Sequence, residues 1–140
     1  MIRPLTQEDV VALLKAGHMG RLGCIVDGGP YVVPINYVFD GGNIYSHSLP
    51  GTKTDAMRHD PRACLQVDEI TDGYHWWSVL ARGTYEEITD PAERDRFRET
   101  LLSQLPGLTP VESLRLSESP AEAPIVFRIR IAVATGVGEW

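Results

Sequence analysis

Long apolar runs are missing from this chain. No stretch of its 140 residues approaches the roughly 20 apolar residues of a membrane span. The opening MIRPLTQEDVV lacks the apolar core of a secretion signal. Basic charge is also short. Thirteen Lys and Arg face 19 Asp and Glu, for a formal net charge of -6. Nucleic acid and anionic membranes both require a basic face, so neither is expected as a partner. Cysteine is scarce: Cys24 and Cys64 sit far apart in apolar runs, without C-x-x-C spacing. A redox dithiol or a zinc site therefore has no support, and two reduced thiols are expected. The four histidines share no ligand spacing, so no metal is expected. These absences lead to the expectation of a soluble, cytoplasmic protein.

What remains is 43% hydrophobic residues in a length that fits one domain, 1–140. A domain of this size buries a modest share of its surface, so a second subunit would help it. Thr6-Gln7-Glu8-Asp9 forms a capping signature, followed by Val10, Leu13 and Leu14 at helical spacing. The spacing predicts a helix over 7–16 closed by Gly17. Strands are expected over 21–26, 31–39 and 43–47, separated by the turns Asp27-Gly28-Gly29-Pro30 and Asp40-Gly41-Gly42. A second helix begins near Thr52, read as its cap, and stops before Asp60-Pro61. Strands follow over 62–70 and 76–88. Asp90-Pro91-Ala92-Glu93 then starts a helix with Phe97, Leu101 and Leu105 on one face. Residues 106–122 read as an irregular loop. The last strand alternates Ile125, Phe127, Ile129, Ile131 and Val133 against Arg128 and Arg130. Short turns imply antiparallel neighbours, and six mainly antiparallel strands with few helices imply a small barrel.

The stretch Asn43-Ile44-Tyr45-Ser46-His47-Ser48-Leu49-Pro50-Gly51-Thr52-Lys53 places hydroxyls, an imidazole and a lysine where a strand gives way to a helix. Free N–H groups in a first helical turn carry partial positive charge, and Lys53 adds a full one. Ser46, Ser48 and Thr52 can donate hydrogen bonds nearby. Together they make a cradle for one phosphate group. The plainer reading is a solvated lysine beside hydroxyls that cap and turn. Pro34 marks an edge, a bulge or a break in the strand PYVVPINYVF, and a break would free peptide groups of Val33, Ile35 and Asn36 for a ligand. Trp76 and Trp77 must face opposite sides of a strand, so one of them meets a surface, an interface or a planar ligand.

The combination V-P-x-N-Y, Y-x-H-S, G-x-K and S-V-x-x-x-G, carried by residues 20–69 and 76–88, resembles the pyridoxamine 5'-phosphate oxidase-like superfamily of FMN-binding split barrels. It is most similar to the nitroimidazole-resistance (5-nitroimidazole reductase-like) branch. The resemblance implies a mainly β, six-stranded antiparallel split β-barrel with a few helices. It also implies a homodimer with FMN in a groove between subunits, acting as an oxidoreductase on a small molecule. On this resemblance Lys53 binds the FMN phosphate with Ser48 and Thr52, while Ser46 and His47 line the phosphate and ribityl region. Val33, Pro34, Ile35 and Asn36 lie along the isoalloxazine ring, Ser78 contacts the flavin, and Trp76 or Trp77 sits near it. The ending FRIRIAVATGVGEW lacks the Arg- and Pro-containing motif with which the founding oxidase grips pyridoxal phosphate, so that activity is not expected. Arg21 and Arg58 are the candidates for a second phosphate cation. His47 is the candidate proton donor, ahead of Tyr37 and Tyr45. Two alternatives stay open. One is a non-catalytic flavin- or haem-binding module, with His18, His59 or His75 as axial ligand. The other is a deazaflavin-dependent reductase.

Overall fold

Alternating buried and exposed residues along the strands build one antiparallel sheet around a shared core. The structure is a computed structural model that describes residues 1–104 and 124–140. In chain order the elements are β1 (Ile2–Pro4), α1 (Gln7–Ala16), β2 (Met19–Val26), β3 (Gly29–Asn36), β4 (Val38–Asp40) and β5 (Asn43–Ser48). They continue with α2 (Thr52–His59), β6 (Arg62–Asp72), β7 (His75–Glu87), α3 (Pro91–Gln104) and β8 (Ile125–Glu139). The hydrogen-bonded order is β3-β2-β6-β7-β8-β5-β4, with β1 on β8. This is the mainly β, split-barrel class that the sequence led us to expect.

Eight strands stand among the described residues, not six. β1 is too short to show a period, and it forms by pairing Ile2, Arg3 and Pro4 with Glu139, Gly138 and Val137. The single strand expected over 31–39 is two, because the chain leaves the ladder at Tyr37. Pro34 is not where it breaks: β3 pairs with β2 without interruption from Gly29 to Asn36. The expected loop over 106–122 and Leu105 lie outside the described residues.

β3 and β4 are the two ends of the hydrogen-bonded path, yet Tyr37 joins them covalently. The chain itself thus closes the barrel where the ladder does not. Tyr37 holds this seam at three points. Its N–H donates to the His18 carbonyl at 2.9 Å. Its hydroxyl donates to the Leu14 carbonyl at 2.8 Å, and its ring is fully buried. α1 is capped by Thr6, which accepts from the Asp9 N–H at 3.1 Å. Gly17 ends that helix in an extended conformation, not a left-handed one. Glycine is needed there for space, since a Cβ would meet the Tyr37 hydroxyl at 2.3 Å.

The main core gathers Leu22, Leu65, Val79, Phe127 and Ile129 from the strands, with Val10 and Leu14 from α1. A smaller core lies under α3, where Tyr45 stacks on Phe97 at 4.2 Å beside Val38, Ile88 and Leu101. Asp90 caps α3 by accepting from the Glu93 N–H at 2.9 Å. Between Arg82 and Gly83 the register with β8 shifts by one residue, so β8 bends there. At the shift a Cβ on Gly83 would meet the Arg130 carbonyl oxygen at 2.1 Å. This is the physical reason for the glycine in S-V-x-x-x-G.

Three outcomes follow for stability. Tyr37→Phe leaves the buried Leu14 carbonyl unpaired and should cost about 1–3 kcal/mol in denaturant unfolding at neutral pH. Burial also pushes the Tyr37 phenol up to about 12 from 10.0. The unfolded chain ionises first, so native stability falls as pH rises from 10 towards 12. Tyr37→Phe should lose less over that window than the parent. Gly83→Ala forces two backbones apart and should cost at least as much as ordinary core overpacking, about 1–3 kcal/mol, read as a lowered Tm.

Candidate flavin site at the barrel seam

The seam brings two of the motifs together. Ser46 of β5 is buried, and its hydroxyl donates to the Asn36 carbonyl of β3 at 2.6 Å. Residues of V-P-x-N-Y and Y-x-H-S, ten positions apart, thus meet across the gap between the sheet's ends. Ser46 is held as a structural tie within the barrel. Ser48, also buried, donates to the Leu49 carbonyl at 2.9 Å and shapes the turn towards α2. His47 lies between them on the opposite face of β5 and is half-buried. The strand therefore does not bring Ser46, His47 and Ser48 to one surface.

Among the described residues no strand pairs with the outer edge of β3. Pro30 and Pro34 share one parity, and on an edge strand that parity turns its missing N–H away from the partner. The Asn36 carbonyl, of the same parity, faces β5 and not β2, which agrees. Val32 therefore offers both its peptide groups to the open edge, with the Pro34 carbonyl and the Asn36 N–H, while the Asn36 carbonyl is taken by Ser46. Val33 and Ile35 face β2, and their side chains point towards the core. Pro34 is an edge proline that leaves a strip of backbone accessible, without the break that would have freed Val33 and Ile35.

α2 begins one residue earlier than its sequence suggests. Gly51 is the N-cap, and Thr52 and Lys53 occupy the first helical turn. The cap is supplied by Thr54, which is fully buried. Its hydroxyl oxygen accepts from the Gly51 N–H at 2.9 Å and its hydroxyl lies 3.1 Å from the Gly51 carbonyl. No Thr52 cap is needed, because Gly51 has no side chain to compete and Thr54 reaches back instead. The Thr52, Lys53 and Thr54 amides are the first-turn donors that a helix leaves without backbone partners. Thr52 opens onto a concavity of about 800 Å³ between α2 and the β2–β3 turn, shared with Asp55, His59, Asp60 and Arg62. Arg62 binds Asp60 at 2.6 Å, and its hydrogen bonds hold the Asp60 carboxyl down to about 2. The acidic wall leaves the helix N-terminus as the place in this concavity that favours an anion. Lys53 is half-buried near Cys24. Burial pushes the Cys24 thiol up, with Cys64 adding to the rise and the Lys53 ammonium opposing it.

Neither candidate for a second cation joins Lys53. Arg58 is held by Glu87 at 2.5 Å, and Glu87 also accepts from the Tyr85 hydroxyl at 2.7 Å. Arg21 lies on the outer face of the sheet with Gln66 and Asp68. Trp77 packs against the main core, so Trp76 takes the opposite face and shares it with Ser78. Trp76 lines a concavity of about 210 Å³ with Trp140, whose ring carries the Arg3 guanidinium 4.3 Å away. Tyr45 and Tyr37 are both buried in packing and are poor proton donors. His75 is bound by Asp72 at 2.9 Å in the β6–β7 turn, and His59 stands in the concavity beside α2. Among the described residues no group of three or more His, Cys, Asp or Glu is placed to hold a metal. No helix among them is long and apolar enough to cross a membrane. The contacts that the motifs concealed are Gln66 and Asp68 beside Ser78. Two polar residues alternating with buried Leu65 and Val67 were their only trace in the sequence.

Known proteins resemble this chain in sequence and fold. The family model described as pyridoxamine 5'-phosphate oxidase matches residues 6–137. The uncharacterized protein RA0666 of Rhizobium meliloti (strain 1021) is 34% identical over 144 residues, covering 96% of this chain and 93% of the relative. The crystal structure of an FAD-binding protein (mll6688) from Mesorhizobium loti superposes with a TM-score of 0.80 at 33% identity, covering 100% of this chain and 99% of that one. A candidate 5-nitroimidazole antibiotic resistance protein from Bacteroides thetaiotaomicron VPI-5482 shares the fold, with a TM-score of 0.75 at 17% identity. It is covered over 87% of its length by 99% of this chain.

Thr54→Val keeps the volume and removes the cap. It should cost about 1 kcal/mol in thermal or denaturant unfolding, with the loss of amide-exchange protection concentrated in the first turn of α2.

Proposed function

The chain belongs to the pyridoxamine 5'-phosphate oxidase family, and on that footing we propose that it is an FMN-dependent oxidoreductase acting on a small molecule, with its flavin held at a homodimer interface. The observation that carries this reading is the Ser46–Asn36 bond at the seam. It fixes the open backbone of β3 beside the strand that leads directly into the first turn of α2. A polar ring edge and a phosphate could be held by one continuous stretch of this surface.

Lys53 and the Thr52, Lys53 and Thr54 amides would hold the phosphate. The ammonium supplies charge, and the helix N-terminus supplies oriented donors. Val32, Pro34 and Asn36 would meet the polar edge of the ring through the backbone of β3, and Ser78 of β7, with β2 and β6 between, would meet a flavin ring from the outer sheet face that the second copy covers. A bound flavin supplies hydride or electron transfer, which no side chain here can provide. The chain's own part is to orient the ring, exclude water and shape the acceptor pocket. A second copy is the natural cover for the outer sheet face, where Met19, Val32, Val133 and Val137 are exposed. The relative from Mesorhizobium loti is described as binding FAD, a flavin that carries the same phosphate position with a nucleotide beyond it. FMN is the simpler fit to a cradle with one placed lysine.

Titration with FMN, FAD and riboflavin, followed by visible absorption, tests the reading. The parent protein should take up FMN with flavin bands that persist through desalting. Lys53→Ala should weaken FMN by about tenfold, the scale of one charge-assisted hydrogen bond, and leave riboflavin, which lacks the phosphate, unchanged. Equal loss for both ligands would remove Lys53 from the phosphate. No uptake of any flavin would overturn the proposed function.

A further inference from the structure

The outer face of the sheet carries an ordered polar group beside exposed apolar side chains. Arg21, Gln66, Asp68 and Ser78 come from three neighbouring strands, β2, β6 and β7, and the register places them on one face. Arg21 Nη1 donates to Gln66 Oε1 at 2.9 Å and to Asp68 Oδ2 at 2.9 Å. Gln66 Nε2 donates to Asp68 Oδ2 at 2.8 Å and to Ser78 Oγ at 3.0 Å. Met19 precedes Arg21 on the same face, and Val137 lies directly across from Ser78.

These contacts determine the direction of every hydrogen bond in the group. The Gln66 amide has one possible orientation. Turned over, its oxygen would face the Asp68 carboxylate and its NH₂ would face the Arg21 guanidinium. In the orientation present, both amide hydrogens are engaged, one by Asp68 and one by Ser78. Ser78 Oγ is therefore an acceptor towards Gln66, and its own hydrogen must point elsewhere. Among the described residues none accepts it. The side chain is half-exposed, so the hydrogen is presented outward from the sheet.

We propose that Arg21 and Gln66 are positioning residues that commit Ser78 to act as a hydrogen-bond donor, towards a ring carbonyl oxygen or an unprotonated ring nitrogen of a planar ligand lying over Met19 and Val137. The inference rests on the flavin reading above and deepens it. It assigns the polarity of one contact and names residues, Gln66 and Arg21, that set that polarity without touching the ligand. A guanidinium at the far end of the chain strengthens each donor in turn, because linked hydrogen bonds polarise one another.

The polarity can be reversed with little change in shape. Gln66→Glu replaces the donating NH₂ by an oxygen that must share one proton with the Asp68 carboxylate beside it. With that proton held towards Asp68, Ser78 would donate to the introduced carboxyl oxygen and present lone pairs to the ligand. Riboflavin is the probe, because it is uncharged and does not depend on the phosphate cradle. Ser78→Ala should weaken riboflavin by about three- to tenfold, the worth of one neutral hydrogen bond. Gln66→Glu should match that loss. Combined with Ser78→Ala, it should add nothing, since the hydroxyl through which it acts is gone. Thermal melts check that the variants fold. Should Gln66→Glu melt early, Gln66→Leu takes its place, with a smaller loss that also vanishes in the Ser78→Ala background.

Gln66→Glu that keeps the parent's affinity while Ser78→Ala loses it would overturn the proposal. So would a Gln66→Glu loss that persists undiminished in the Ser78→Ala background, because that is a charge effect and not a turned hydroxyl. If the parent binds riboflavin and Ser78→Ala binds equally well, the positioning role fails and the flavin site stands. A parent that takes up no flavin at all would overturn both.

Discussion

Everything in this barrel depends on how the chain crosses from one edge of its sheet to the other. The ladder runs from β3 to β4 and does not close on itself. Closure is covalent, through Tyr37, and a covalent crossing leaves backbone groups without ladder partners. Those groups must be paired where they are buried. Tyr37 meets the requirement with its own amide and hydroxyl, and Ser46 does so for Asn36. α1 is drawn into the seam by the same contacts, since its last turn supplies the Leu14 carbonyl. Gly17 then has to be small because the Tyr37 hydroxyl fills the place of its side chain.

The seam also explains why an open backbone edge forms here. An edge strand normally needs protection from pairing with other chains. β3 has two prolines of one parity on its open edge, which deny a full ladder to any incoming strand while leaving Val32 and the Asn36 N–H available. A ligand with one or two acceptors or donors can use such an edge where a strand cannot. Ser46 keeps that edge beside β5, and β5 runs through the Ser48-shaped turn into α2. The open edge of β3 and the first turn of α2 therefore keep a constant relation to each other, because they share one rigid corner.

Polar residues named by the same motifs divide into two kinds of work. Ser46, Ser48 and Tyr37 are inward-facing and satisfied by backbone carbonyls, so they hold the corner together. Thr52 and Ser78 reach open surface, and Lys53 is half-buried at the helix N-terminus. Ser78 reaches that surface with its polarity already set by Gln66. The motif glycine Gly83 belongs to the first kind, since it permits the close approach of β7 and β8 where β8 bends.

Much of this was legible along the chain, because local rules governed it. Caps at Thr6 and Asp90, the glycine turns, and the alternation of β8 are set by neighbours a few residues apart, so three helices and the antiparallel class could be read directly. The polar joint between β5 and α2 was visible for the same reason. The division of the second strand at Tyr37 was not, since it is imposed by partners in α1 and β5 that only the fold brings near. The cap of α2 moved to Gly51 because Thr54 could reach back, a matter of rotamer and burial. The facing of Trp77 towards the core, the loss of Arg58 and Arg21 to Glu87 and Asp68, and the Gln66–Ser78 contact are likewise tertiary. Each depends on register between strands, and register turns on the summed burial of a whole face and on no single residue. The sequence by itself determined the elements and the chemical groups near the site. Only the tertiary structure decided which of those groups reach open surface and which hold the barrel shut, because a strand offers each residue two sides and the core takes one of them.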